Sequence, residues 1–496
     1  MSHVLLPLLV ALPIVAAALC VLFRDRPRVT TALVVGTSLA VLAAGGSLIA
    51  VTMAEGPVAH PVGLWPTGIA IPFVVDPFSA VLVTVVALLI TMIALFAAAM
   101  EDTRHPLFAA LVLALSAGVY GALLTGDLFN LYVSFELMLV PSYALMALLG
   151  ARRSLGATRL FVVVNVFASL ALLFGVALVY GTAGTVNLAE LHDAAQDSRA
   201  VAVAGGVVLV ALGLKASLVP MHGWLMQTYP FTSPAVSALF TVLHTKVAVY
   251  AIYRIYAVVF GGSERYLGVL LTVMVATMLV GALASLGATT MRSALAMQVV
   301  SHVGFILLGV ALFGPLGLAA GIFYLVHNMV VKGALFLAAG AVENAYGTGR
   351  LDRLSGLVRT EALVAVVFLA AGFSLSGMPP FSGFAAKVLL VGAAVDQGQY
   401  VAVVAVVLVS LISLLVVVRL WDGVFWGRTL EEPEEEVHQP VRSLTRVRRW
   451  AAVPALLLTV VSLALGIGAQ GLVAVSAAAA EHLVDPTQYV QAVRDA

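Results

Sequence analysis

The 496-residue sequence predicts an all-α polytopic membrane protein with about 14 transmembrane helices. Three observations carry that reading. Only 10% of the residues are charged and 62% are hydrophobic, whereas soluble domains carry about 25% charged residues. Mean hydropathy reaches +1.10. Apolar runs of about 20 residues, each long enough to cross a bilayer as a helix, recur along almost the whole chain.

The first run, residues 4–22, is followed by arginines (Arg24, Arg26, Arg28) where a signal peptide would be preceded by positive charge. It reads as helix 1 with its amino end outside. Splitting the rest at polar and Gly/Pro-rich breaks gives further helices at 29–53, 74–99, 106–124, 127–149, 157–180, 201–227, 233–259, 267–289, 292–313, 316–343, 362–395, 399–421 and 450–475. Arginines gather after helix 1, after helix 5 (Arg152, Arg153, Arg159), after helix 11 (Arg350, Arg353, Arg359) and in the long charged segment 428–449 after helix 13. By the positive-inside rule those connections are cytoplasmic and both termini face out. Arg254 and Arg265 depart from this alternation. The charged segment reads as a solvated cytoplasmic loop.

Two of the runs are interrupted. One is LKASLVPMHGWLMQTYPFTSP, with Pro220 at its first break, and the other is FSLSGMPPFSGFAAK, with Pro379 and Pro380. Proline removes a backbone donor and kinks a helix. Unwound backbone is tolerated at membrane depth only where protein or a water-filled cavity surrounds it. A pair of interrupted helices in corresponding places points to the ion path of a transporter built from two repeats. The breaks fall in helices 7 and 12, which divides the chain into helices 1–3 (1–105), a first repeat of helices 4–8 (106–260), a second of helices 9–13 (261–425), and a loop with helix 14 (426–496).

The basic residues are distributed unevenly. Of 25, only four are lysine (Lys215, Lys246, Lys332 and Lys387), and all four stand within apolar runs. A charge at a helix centre costs about 2.5–3.5 kcal/mol on insertion scales. Guanidinium stays protonated in any protein setting, whereas a desolvated ammonium can release its proton. Lysine in this position is a switchable proton site. Lys246 and Lys332 sit mid-span, beyond easy snorkelling, while Lys215 and Lys387 flank the two breaks.

GDLFNLYVSFELMLVPSYAL places one carboxylate, Glu136, in a fifth membrane run, with Pro141 five residues later. Tyr132 and Tyr143 share its side of the helix and cannot neutralise it. Its expected counter-ion is therefore a lysine of helix 7 or 8. Asp127 lies near the interface as a helix cap. Four histidines are secondary candidates. His302 and His327 are mid-span, where imidazole can pass protons on either nitrogen or form a hydrogen-bonded helix contact. His222 and His244 flank the first break and the Lys246 helix, with structure and proton access as alternative roles.

A net charge near +1 argues against a nucleic-acid partner. The single cysteine, Cys20, provides neither an intrachain disulfide nor a cysteine-ligated cluster. No phosphate-binding G-x-x-x-x-G-K-[ST] is present. No metal site, cofactor or enzymatic reaction is expected.

TGDLFNLYVSFELMLVPSYALMALLG, the lysine before VPMHGWL and the one in SPAVSALFTVLHTKVAVY resemble the D subunits of multisubunit Mrp-type cation/proton antiporters. These lie in a wider family of proton-translocating membrane subunits that includes those of respiratory complex I and membrane-bound hydrogenases. The resemblance covers about residues 70–425. It implies 14 helices, two five-helix repeats of inverted topology each with a broken helix, and a line of buried polar residues at the bilayer midplane. Glu136 matches the family's helix 5 glutamate, and Lys215 and Lys246 match its helix 7 and 8 lysines. His327 and Lys332 match helix 11, and Lys387 the far end of the line in helix 12. Lysine at this last position, commonly glutamate in the most similar complex I subunit, favours the Mrp group.

The resulting expectation is a proton-translocating subunit of a Na⁺/H⁺ (or other monovalent cation/proton) antiporter. It would work in the bacterial plasma membrane with other membrane subunits. The alternative is a proton-pumping subunit of a redox complex. A self-sufficient carrier of an organic solute would present an aromatic or amide-lined pocket, and a scaffold would leave the lysine placement unexplained.

Overall fold

Helix starts are encoded locally. Asp76 and Ser79 form a reciprocal capping box, with the Ser79 amide donating to Asp76 Oδ1 at 2.9 Å and the Asp76 amide donating to Ser79 Oγ at 2.9 Å. Asp127 Oδ1 accepts from the Asn130 amide at 2.7 Å. Ser233 and Thr290 cap two later helices in the same way.

A computed structural model describes residues 2–65, 70–149, 155–427 and 447–496, most of them helical. Helices α1 (Ser2–Leu22) and α2 (Pro27–Glu55) lead into a two-stranded antiparallel hairpin of β1 (Val58–Pro61) and β2 (Pro72–Val75), paired Val58 to Val75 and His60 to Phe73. There follow α3 (Pro77–Ala99), α4 (Phe108–Leu124), α5 (Leu128–Leu149), α6 (Leu155–Ala183), the single turn α7 (Ala194–Asp197), α8 (Arg199–Lys215), α9 (Gly223–Thr228) and α10 (Pro234–Val258). The second half contains α11 (Leu267–Leu286), α12 (Met291–Ala311), α13 (Pro315–Tyr346), α14 (Ala362–Ser376), α15 (Ser382–Asp396), α16 (Tyr400–Val424), α17 (Arg449–Ile467), α18 (Ala469–Val484) and α19 (Thr487–Arg494). Among the described residues, ten helices are long and apolar enough to cross a membrane. The chain is a multi-pass helical membrane protein.

The bundle is organised from the inside out. The apolar stretches of α10 and α13 are 100% buried, whereas those of α2 and α11 are only 28% buried and turn most of their surface outward. Outward-facing side chains such as Val163, Phe167 and Phe174 on α6 are apolar, as a lipid-facing surface requires. The central helix, α13, has 32 residues, and α10, α12, α14, α15, α17 and α18 all pack on it.

Three expected helices are each two pieces. The run expected at 201–227 stops at Lys215, passes Ser217 at φ 63° and a cis Val219–Pro220 bond, and resumes as α9. The run expected at 362–395 stops at Ser376, passes Gly377 at φ 86° and a cis Pro379–Pro380 bond, and resumes at Ser382. The C-terminal helix expected at 450–475 divides at Gly468 and continues to Val484. That division has no proline to announce it. A Cβ on Gly466 would collide with the carbonyl oxygen of Pro380, so α17 lies directly against the α14–α15 interruption. The β hairpin, which apolar periodicity did not indicate, is covered by α19. Arg152, Arg153 and positions 428–446 of the charged segment lie outside the described residues.

Candidate functional site

The four lysines are brought into one buried zone by four different elements. Lys215 ends α8, Lys246 is in the middle of α10, Lys332 in the middle of α13, and Lys387 in the first half of α15. All are at most 7% exposed. None forms an ion pair among the described residues; each donates to a hydroxyl or a backbone carbonyl. Lys215 Nζ donates to Ser169 Oγ on α6 at 2.8 Å and lies 4.9 Å over the Phe135 ring. Lys246 Nζ donates to the Thr241 carbonyl at 3.0 Å and to Thr245 Oγ1 at 3.1 Å. Lys332 reaches the Leu295 carbonyl on α12 at 3.4 Å. Lys387 donates to the Ser376 carbonyl, at the end of α14, at 2.8 Å. Neutral oxygens satisfy the donors without supplying a fixed counter-charge.

Glu136 departs from expectation. No lysine closes onto it: it is half-buried on α5, and Oε1 has no hydrogen-bond partner among the described residues. Phe135, its neighbour on α5, lies beneath the Lys215 ammonium, and Ser169 takes the hydrogen bond. Glu136 and Lys215 nevertheless interact through space. They are neighbours held apart.

The histidines stand between the lysines. His244 Nε2 bonds Ser142 Oγ on α5 at 2.8 Å, its ring stacks on Phe240, and the charge of Lys215 reaches it. His302 bonds Tyr324 OH through Nδ1 at 2.7 Å and Gln298 Oε1 through Nε2 at 3.0 Å. His327 Nδ1 bonds Ser382 Oγ at 2.8 Å. Lys332 and Lys387 both act on His302 and His327, and Lys246 acts on Lys332. His222 is half-buried at the start of α9, beside the first interruption. A small apolar void of about 10 Å³ lies beside Lys246, lined by Leu82, Leu123 and Met329 among others. The interactions form two groups, Glu136 with Lys215 and His244, and Lys246 with Lys332, His302, His327 and Lys387; His244 and Lys246 stand two residues apart on α10.

Sequence reasoning missed a second buried charge site. Arg254, 2% exposed, donates to Asp76 Oδ2 at 2.7 Å and to Tyr250 OH at 3.3 Å, and stacks 4.8 Å from the Tyr489 ring of α19. Arg254 had stood out as an exception to the charge alternation. The exception was the signal, because this arginine is an interior ion-pair partner and not a loop charge. Near the opposite end of α13, Arg292 pairs with Glu343 through Nε and Nη2 and donates to the Thr232 carbonyl. The serines that partner the lysines and histidines were also missed, since serine in an apolar run carries no distinguishing pattern.

A membrane bundle that buries four lysines and three histidines among its helices has the groups that the ion-translocating class requires. Comparison with known proteins is in keeping. The NADH:quinone oxidoreductase/Mrp antiporter, TM family matches residues 125–413, and the chain belongs to that family. It is 31% identical over 498 residues to the Na(+)/H(+) antiporter D subunit of Bacillus subtilis (strain 168), covering 99% of each chain. It is 31% identical over 438 residues to the antiporter protein of the same name from Alkalihalophilus pseudofirmus, covering 87% of each. Among solved structures, a chain of the Mrp complex from Dietzia sp. DQ12-45-1b is similar at 46% identity and a TM-score of 0.94, over 99% of both chains. A chain of respiratory complex I from Thermus thermophilus is similar at 26% identity and a TM-score of 0.79, over 96% of this chain and 99% of that one.

Proposed function

We propose that this chain is the proton-translocating subunit of a multisubunit Na⁺/H⁺ antiporter of the bacterial plasma membrane, a secondary transporter subunit and not an enzyme. One observation carries the reading: all four lysines of the chain lie buried on four elements, with Glu136 acting on Lys215 and Lys246 on Lys332. Lys215, Lys246, Lys332 and Lys387 pass the proton. His244, His302 and His327 are secondary carriers, and His222 serves access beside the break at Pro220. The interruption at Pro379 and Pro380 opens backbone at the other end. Glu136 favours the Lys215 ammonium through space, and a shift of α5 toward or away from α8 would tighten or loosen the hold of Lys215 on its proton. Its half-buried position on α5 suits an edge shared with another membrane subunit.

We read fourteen crossings, with α8 and α9, α14 and α15, and α17 and α18 each forming one. Supporting this, α17 and α18 both pack along α13, and α19 then reaches the hairpin that follows α2. We read both termini on the outer face, from the arginine distribution of the connections. Helices four to eight and nine to thirteen form two inverted repeats (106–260 and 261–425), each with its broken helix fourth. The redox-complex alternative is weaker on identity, at 26% against 46%.

The test is cation/proton exchange in everted vesicles carrying the complete complex, with Glu136→Ala or Lys215→Ala. Assembled variants are expected to lose most of their exchange. Near-normal exchange would remove the central line from the mechanism. Robust exchange by this chain alone would refute its dependence on partner subunits.

A further inference from the structure

Among the described residues of the central zone, His327 ends a chain of hydroxyls drawn from three other helices. Its Nδ1 bonds Ser382 Oγ at 2.8 Å; Ser382 bonds Ser462 Oγ at 3.0 Å; Ser462 bonds Ser374 Oγ at 2.7 Å. All four side chains are 0% exposed. Ser374 and Ser382 stand on the two halves of the interrupted helix, and Ser462 on α17 bridges them. Two glycines permit this closeness. A Cβ on Gly383 would collide with the Ser374 carbonyl oxygen and stand 2.9 Å from His327 Cε1, and one on Gly466 would meet the Pro380 carbonyl.

A serine hydroxyl donates one hydrogen bond and accepts two, so such a chain has two directions. With neutral imidazole, Ser374 donates to Ser462, Ser462 to Ser382, and Ser382 to Nδ1. With imidazolium, both ring nitrogens donate. Nδ1–H then donates to Ser382, Ser382 to Ser462, and Ser462 to Ser374, whose own proton must turn toward a backbone carbonyl of its helix. The three contacts keep their partners in both directions, and His327 Nε2 has no partner among the described residues in either.

We propose that Ser462 is a positioning residue for proton transfer, whose bridging hydroxyl lets the Ser382 contact to His327 reverse as the imidazole gains and loses its proton. This rests on the reading of His327 as a proton carrier given above. Lys387 on α15, Lys332 on α13 itself and His302 on α12 interact electrostatically with His327, and the Tyr324 ring lies 5.5 Å away. Among the other elements packed on α13, α10 carries His244, Lys246 and Arg254, α3 and α14 carry no charged residue, α17 only Arg449 at its far end, and α18 only Glu481 and His482 in its last turn.

The experiment measures the pH profile of cation/proton exchange by the whole complex in everted vesicles, per assembled complex. Ser462→Ala removes the bridge while keeping side-chain size. Ser382 then has no acceptor in the imidazolium state, and the profile moves toward lower pH by roughly half to one unit, the equivalent of one hydrogen bond. Ser462→Thr restores the parental profile. Thr459→Ala, on the same helix but bonded back to Ala455, leaves it unchanged. A parental profile in Ser462→Ala, or an equal shift in Ser462→Ala and Ser462→Thr, overturns the proposal. Should Ser462→Ala fail to assemble, Ser374→Ala carries the same expectation and the same refutation. His327→Gln separates the two levels. Unaltered exchange in it defeats the carrier reading itself, whereas loss of exchange in it beside a parental Ser462→Ala defeats only the role of Ser462.

Discussion

Breaking the Asp76–Arg254 pair should destabilise the protein far more than removing both charges together. The two side chains meet at 2.7 Å, with 3% of the arginine and none of the aspartate exposed, so neither can recruit bulk solvent when the other is lost. Arg254→Met strands a buried carboxylate that keeps only its Ser79 contacts; Asp76→Asn strands a buried guanidinium but leaves an acceptor for the Ser79 amide. Each single change is expected to cost about 3–5 kcal/mol. Asp76→Ala adds loss of the helix cap, about 1 kcal/mol more. The double variant Asp76→Asn/Arg254→Met carries no stranded charge and should recover at least about 2 kcal/mol relative to the sum of the singles, which is the coupling a double-mutant cycle reads. The arginine also joins α10 to the C-terminal α19 through Tyr489, so the singles should expose α19 to protease as well. The assay is equilibrium unfolding of the purified complex in mixed micelles, with limited proteolysis alongside. Strictly additive single and double effects would refute the reasoning, because they would mean that the two charges do not depend on each other.

Two further outcomes follow from the geometry. Lys246→Arg should assemble normally yet lose at least about tenfold in exchange rate, because guanidinium keeps its proton where ammonium can release it; exchange within twofold of the parent would argue that Lys246 carries charge but no proton. Asp102, in the connection between α3 and α4, has no cationic partner among the described residues: its carboxylate accepts from the Ser233 hydroxyl, at 3.1 Å, and burial pushes its pKa up to about 6. A carboxyl raised in the folded state binds its proton more tightly there, so stability is greatest below about pH 4 and falls as pH rises through about 6. Asp102→Asn should therefore raise thermal stability at pH 8 by about 1–2 kcal/mol after allowance for partial exposure and make little difference near pH 4. A gain of equal size at both pH values would show that the effect is not protonic.

Much of the architecture and of the central line was legible from residue type. Lipid leaves a helix no partner but itself and its neighbours, so apolar run length reports crossings directly. A charge in such a run is expensive enough that its presence marks a purpose, which is why Glu136 and the four lysines stood out. The breaks at Pro220 and at Pro379–Pro380 were legible because proline lacks a backbone donor. The division at Gly468 was not, since no proline marks it. Nor was the separation of Glu136 from Lys215, which depends on where Phe135 and Ser169 fall in three dimensions.

The sequence by itself determined that Glu136 and the four lysines are ionisable groups within apolar runs and that the runs at Pro220 and at Pro379–Pro380 are interrupted, because both follow from the chemistry of single residues. The tertiary structure alone decided the partners: that Arg254 closes on Asp76 across 178 positions, and that Ser462 bridges Ser374 and Ser382 beside His327. Hydrogen bonds and ion pairs act over about 3 Å, and no periodicity along a chain records which distant residues will be brought that close.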